Sequence, residues 1–356
     1  MMQERPGLVN IGNTCYMNAV IQCLNHIKFK DLILKEHGGE LVNSLKKIFI
    51  QLEGDTSQGN KGKMYLVFPT DKYLRAGEKL YFSEKDIKYN NKNDLYKYND
   101  SVNPNELKYI IDRRIGKFIG YDTHDCAEFL ACLLDLLNKE CNLSNLFLIK
   151  FRITSEITNY RNSTSCFGIS KSKYMDNIID DDKSFYLDIP IKENHREIKD
   201  CINDYLKYKK IYGNVQGYEK IKFMNLPEIL VINLRRINKS YYYSDFINYP
   251  KTINLSDLLD SQENKLTSSV HSGYNFRINN NFYNYNNNYS KTKDKNYEYQ
   301  LKAFIIHKGH PLEGHKIAIC YDENEDIWYS CDDEKVIQCQ YPFRQEVAFL
   351  FFYEKI

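Results

Sequence analysis

The apolar positions early in the chain recur with the period of a helix. Met17, Val20, Ile21 and Leu24 follow the i, i+3, i+4, i+7 spacing of one helix face. Asn13 and Thr14, both good capping residues, stand just before that face, so the helix is predicted to start at Cys15. Leu41, Leu45, Ile48 and Leu52 repeat the spacing within residues 28–52. A third strong pattern covers residues 122–141, where Leu130, Leu133, Leu134, Leu137 and Cys141 form the buried stripe and His124 or Asp125 can cap the start. The first 140 or so residues therefore read as mainly helical.

From about residue 146 the period shortens to two. Phe147 to Thr154 alternates, and residues 185–191 and 229–234 also read as strands, with a short helix expected over 195–210. Four more strands are predicted near the end, at 299–307, 315–321, 327–331 and 347–353. Helices first and strands later point to an α+β fold rather than a doubly wound sheet. Residues 54–103 are polar and weakly periodic, and residues 275–296 are Asn- and Tyr-rich with few aliphatic groups to bury. Both read as inserted loops.

Composition narrows the class. The 356 residues carry 49 basic and 47 acidic side chains, so no strong field favours nucleic acid or a membrane surface. No run of eighteen apolar residues is present, and Met1 to Arg5 does not resemble a secretory signal. Ten cysteines without such a signal suggest reduced thiols, hence a soluble protein of the cytoplasm or nucleus.

Cys15 has chemical potential. The first turn of a helix offers unpaired N–H groups and the positive dipole end, which favour a thiolate. Gly12 permits a tight turn ahead of it, and Asn10 brings a side-chain amide that could meet an oxyanion. A small buried residue opening an ordinary helix would look the same, so a base has to decide. His307, His310 and His315 cluster near the end of the chain, the first two in a turn marked by Gly309, Pro311 and Gly314. If the next hairpin is centred on Asn324, opposed residues have numbers summing to about 648, and His315 faces Asp332 or Asp333. A carboxylate on one ring nitrogen leaves the other free to act on a thiol. A metal site from the three histidines is the weaker reading, because no Cys-x-x-Cys pair accompanies them.

Together these stretches resemble the ubiquitin-specific proteases, papain-like cysteine hydrolases. Gly7-Leu-Val-Asn-Ile-Gly-Asn-Thr-Cys-Tyr-Met-Asn is similar to that family's cysteine box. Tyr299-Gln-Leu-Lys-Ala-Phe-Ile-Ile-His-Lys-Gly, Gly314-His315 and Trp328-Tyr-Ser-Cys-Asp-Asp are similar to its histidine box. His124-Asp-Cys-Ala-Glu-Phe-Leu, Leu226-Pro-Glu-Ile-Leu-Val-Ile-Asn-Leu-Arg-Arg and Phe349-Leu-Phe-Phe-Tyr follow in the family's order.

The resemblance implies one catalytic domain with a thumb over about 1–140, fingers over about 146–225 and a palm over about 226–356. It implies Cys15 as nucleophile, His315 as base, Asp332 as its orienter, Asp333 in the polar network and Asn10 as an oxyanion donor. The expected partners are ubiquitin and ubiquitinated proteins, or a ubiquitin-like modifier, with no nucleic acid, membrane or cofactor.

Three departures stand out. Many relatives hold a structural zinc with two Cys-x-x-Cys pairs, whereas Cys166-Phe-Gly-Ile keeps one cysteine and Gly213-Asn-Val-Gln-Gly-Tyr none, so no metal is expected. The usual Gln before Asp125 is His124, and the usual Tyr after the histidine is Lys316. A scaffold without activity is the reading from another class, and the presence of both Cys15 and His315 speaks against it.

Overall fold

A computed structural model describes residues 5–54, 101–165, 168–207, 209–211, 216–238, 241–258, 297–309, 314–341 and 347–356. Residues 55–100 of the first expected insertion and all of the second lie outside these, as do His310, Cys166 and residues 213–215.

The helical part holds α1 (Cys15–Asn25), α2 (Phe29–Lys35), α3 (Glu40–Leu52), α4 (Asn105–Ile115), α5 (Cys126–Asn138) and the single turn α6 (Ser144–Phe147). The expected stripes are buried on α3 and α5. Asp125 caps α5, its carboxylate accepting the Glu128 N–H at 2.8 Å. Helix α1 departs from the one-faced expectation, because all eleven of its residues are buried. It lies between α5 on one side and the strands of the large sheet on the other, so its polar residues Asn18, Gln22 and Asn25 are enclosed as well.

The strands begin with β1 (Ile149–Ser165), β2 (Gly168–Ser184) and β3 (Leu187–Pro190), followed by helix α7 (Ile198–Leu206). Next come β4 (Lys209–Ile211), β5 (Gln216–Asn225), β6 (Ile229–Arg235), β7 (Ile237–Asn238), β8 (Tyr241–Tyr242) and β9 (Thr252–Asn254). The chain closes with β10 (Glu298–Lys308), β11 (His315–Asp322), β12 (Ile327–Asp332), β13 (Lys335–Cys339) and β14 (Ala348–Lys355). One sheet has the order β2-β1-β5-β4. The larger one has the order β13-β12-β11-β10-β14-β6-β3, with β9 added on β10 and β3 parallel to β6. Strands β7 and β8 form a separate short ribbon.

Alternation across the large sheet divides the core. Ala303, Ile305, Ala318, Cys320, Leu350 and Phe352 face the helices, while Phe304, Ile306, Ile317, Ile319 and Phe351 pack into a second cluster on the far side. Burying one such aromatic contributes about 2 kcal/mol, and the two faces together fix the register of β10 and β11. That register corrects two expectations. The β11–β12 ladder pairs Ala318 with Cys331 through Asp322 with Ile327, sums of 649 rather than 648. His307 belongs to strand β10, opposite Lys316 and buried, rather than to the turn that follows. Among the described residues, no helix is long and apolar enough to cross a membrane.

Candidate active site

The turn before α1 is built by its own side chains. Gly12 and Asn13 both have positive φ, 108° and 51°. The Asn10 side-chain oxygen accepts the N–H groups of Gly12 at 3.1 Å and Thr14 at 3.2 Å. Thr14 is the residue before the helix, but its hydroxyl does not cap it; the hydroxyl oxygen accepts the Ile11 N–H at 3.1 Å instead. A Cβ on Gly12 would fall 2.2 Å from the Tyr121 ring, so only glycine lets the loop at 116–125 close over this turn. Cys15 follows at the first helical position, 4 % exposed.

Burial pushes the Cys15 thiol above its ordinary pKa. The backbone N–H of Lys316, hydrogen-bonded to the sulfur, pulls it back, as does the Lys316 ammonium, and the Asp333 carboxylate acts the other way. That N–H contact sets the start of β11 beside the cysteine.

His315 opens β11. Its Nε2 lies 2.5 Å from Asp332 Oδ1 and 3.9 Å from Asp333 Oδ2. By register alone His315 stands one residue off Asp333, yet the strand end brings Asp332 to the ring. This use of Nε2 leaves Nδ1 for a thiol. Asp332 and Lys335 pair across a two-residue loop, Asp333–Glu334, and Asp333 adopts φ 49°, a conformation Asp tolerates better than most residues.

The Asp333 carboxylate is thereby buried. It accepts the side-chain amides of Asn10 at 2.7 Å and Asn18 at 2.8 Å. Burial raises its pKa, and those two amides offset part of the rise. Glu334 accepts the Asn10 backbone N–H at 2.8 Å, and the Asp333 carbonyl accepts the Leu8 N–H at 2.9 Å. The loop after Asp332 is thus bound to the segment before Cys15.

Four of the five expected residues, Asn10, His315, Asp332 and Asp333, form one cluster, and Cys15 meets it through the Lys316 N–H. The ligand atoms of His315, Asp332 and Asp333 lie within 4.8 Å of one another, the one such group among the described residues, and within it Asp332 is hydrogen-bonded to the His315 ring. Sequence reasoning missed Asn18 and Glu334. Asn18 had a signal, a polar residue one turn beyond Cys15 on a helix otherwise rich in apolar side chains. His124 packs edge-on against Tyr16 and Phe118, with centroids 5.2 and 5.0 Å away, and burial lowers its pKa.

With this geometry in place, comparison defines the class. The fold is that of the papain-like cysteine proteases, and the chain belongs to the ubiquitin carboxyl-terminal hydrolase family, whose model matches residues 6–353. It is 24 % identical to human ubiquitin carboxyl-terminal hydrolase 2 over 99 % of this chain and 55 % of that protein. It is 25 % identical to the chicken protein of the same name over 72 % of this chain and 75 % of that one. The chain spans about half the length of the mammalian relatives it matches. A solved structure, the SAGA DUB module of Ubp8, Sgf11, Sus1 and Sgf73 bound to monoubiquitin, superposes with a TM-score of 0.60. That match covers 99 % of this chain and 69 % of that chain at 17 % identity.

Proposed function

We propose that this chain is a cysteine-type deubiquitinase that hydrolyses the isopeptide or peptide bond after the C-terminal glycine of ubiquitin. One observation carries the reading: Asp332 holds His315 through Nε2 at 2.5 Å, while the amide of the very next residue holds the Cys15 sulfur. A base with one nitrogen oriented, placed beside a thiol at a helix start, is the arrangement that thioester chemistry needs.

In this mechanism His315 Nδ1 takes the Cys15 proton as the sulfur attacks the carbonyl carbon. The same nitrogen returns the proton to the departing amine, leaving a thioester that water then hydrolyses. Asp332 keeps the ring in place and stabilises the imidazolium. Asn10 commits one N–H to Asp333 and its side-chain oxygen to the turn, so its second N–H is the donor for the oxyanion, together with backbone N–H groups at the start of α1. Losing one such donor costs about 3 kcal/mol of barrier. A reducing compartment, cytoplasm or nucleus, suits this free-thiol chemistry, and the cysteine count around residues 166 and 213 supports fingers without zinc.

The test is covalent capture by ubiquitin carrying a C-terminal electrophile, with Cys15→Ala as control. An adduct that needs Cys15 is expected. Capture by a ubiquitin-like modifier alone would move the substrate and keep the chemistry; no adduct with any probe would overturn the assignment.

A further inference from the structure

Lys316 is a cation enclosed beside the thiol with no carboxylate to balance it. It is 7 % exposed, and its ammonium donates to the Gly314 carbonyl at 2.9 Å. Two other enclosed lysines are treated differently: Lys108 pairs with Asp112 at 2.5 Å and Lys302 with Glu323 at 3.0 Å. Among the described residues, no ion pair includes Lys316. A charge held that way costs several kcal/mol unless a counter-charge forms nearby.

Strand alternation says what faces it. Lys316 continues the row of Ala318 and Cys320, which lines the core against the helices. The groups gathered on that side are Cys15 and Tyr16 of α1, Cys126 of α5, His307 of β10 opposite Lys316, and Asp333 from the β12–β13 loop, while His315, one residue earlier on β11, has the opposite parity. Asp333 is engaged by two amides and lies 3.9 Å from the His315 ring. Cys126 is fully enclosed and donates toward the Tyr16 carbonyl at 3.7 Å. Cys15 remains as the group that can present a negative charge on demand, and the Lys316 backbone already touches its sulfur.

We propose that Lys316 is the counter-ion of the Cys15 thiolate, a positioning residue that stabilises the deprotonated nucleophile through a fixed charge. The thiol proton leaves to His315 Nδ1, the electron pair stays on sulfur, and Lys316 exchanges no proton. The idea rests on Cys15 being the nucleophile, but it is tested without ubiquitin.

The experiment follows iodoacetamide alkylation of the Cys15 peptide by mass spectrometry from about pH 5 to about pH 10. It compares wild type, Lys316→Met and Lys316→Arg. Lys316→Met should raise the midpoint by about one unit and slow alkylation at neutral pH about tenfold, with an unchanged plateau at high pH. Lys316→Arg should keep the wild-type midpoint. Removing an unbalanced charge should also leave the melting temperature of Lys316→Met no lower than that of wild type. An unmoved midpoint in Lys316→Met overturns the proposal. Should that variant not fold, Lys316→Tyr carries the same expectation and the same refutation. A wild type that shows the shift but captures no ubiquitin probe would overturn the proposed function and leave the Lys316 assignment standing.

Discussion

The side-chain amide of Asn18 lies 2.8 Å from the Asp333 carboxylate, joining α1, the helix that begins with Cys15, to the loop that follows Asp332. Asn18 is 1 % exposed and Asp333 8 %, so no water can replace that bond freely. Asn18→Ala would leave an enclosed carboxylate with one donor fewer, at about 1–3 kcal/mol of stability. It should also lower turnover, since the loop fixing Asp332 loses its anchor. Urea unfolding and hydrolysis of a ubiquitin C-terminal amide, run on the same preparations, would check both. A variant with wild-type stability would disprove the anchoring role.

Asp332 and Asp333 divide the work unequally. Asp332 alone is within hydrogen-bond distance of the ring, at 2.5 Å, while Asp333 stands 3.9 Å away. Asp332→Asn should therefore reduce kcat by about 10³–10⁴-fold with little change in KM. Asp333→Asn should act mainly through Asn10 and Asn18, as a smaller loss of turnover accompanied by a loss of stability. The double variant should fall short of the product of the two single effects, because Asp333 acts by holding the loop next to Asp332 and has less to lose once Asp332 is gone. Strict additivity would show that they act separately.

These roles mark the limit of what the sequence discloses. The spacing of Met17, Val20, Ile21 and Leu24 locates α1 within a residue, because a helix period is written locally. It cannot show that Asn18, Gln22 and Asn25 are enclosed too, which follows from α5 and the sheet closing on both sides. The partnership of His315 with Asp332 is legible from the hairpin to within one residue, and the error matters: a register sum of 649 would by itself align His315 with Glu334. The bend at the strand end, with Asp333 in a left-handed conformation, selects Asp332. Alternation marks β1 only as far as Thr154, and β2 is not among the strands expected from the sequence. Beyond Thr154, β1 and β2 pair residues of mixed polarity, from Glu156 opposite Asn177 to Asn162 opposite Lys171, so no apolar alternation announces the strand.

His26 gives the fold a pH dependence of definite sign. Burial pulls its pKa from 6.5 down to about 4, against a smaller upward pull from the Gln22 carbonyl 2.8 Å from Nδ1. The folded ring therefore stays neutral while the unfolded one takes a proton. This group's contribution to stability is complete above about pH 6.5 and is lost as the pH falls to about 4. The buried carboxylates Asp333 and Glu354, whose pKa values burial raises, act in the opposite sense. Comparing His26→Gln with wild type isolates the histidine: the stability difference should shift in favour of the variant as the pH drops from 7 to 5. Parallel stability curves would refute the assignment.

Gly7 controls the geometry of the site from outside it. A Cβ there would lie 2.3 Å from the Asp333 carbonyl oxygen and 2.5 Å from the backbone of Glu334. Both contacts are to main chain, so no side chain can swing aside. The Leu8 N–H donates to that same carbonyl at 2.9 Å, and the Gly7 carbonyl accepts the Val102 N–H at 2.8 Å, which holds the segment from two directions. Gly7→Ala must therefore move the Asp333–Glu334 loop, at a cost of about 1–3 kcal/mol for overpacking. Asp332 precedes that loop directly, so the displacement should reach the His315 hydrogen bond. Turnover is expected to fall by about tenfold or more, as with other sub-ångström losses of catalytic alignment. Alkylation of Cys15 by iodoacetamide should change far less, because the Lys316 contacts lie on the opposite strand of the hairpin. If alkylation and turnover fell together, Gly7 would be acting on the cysteine and not on the orienting aspartate.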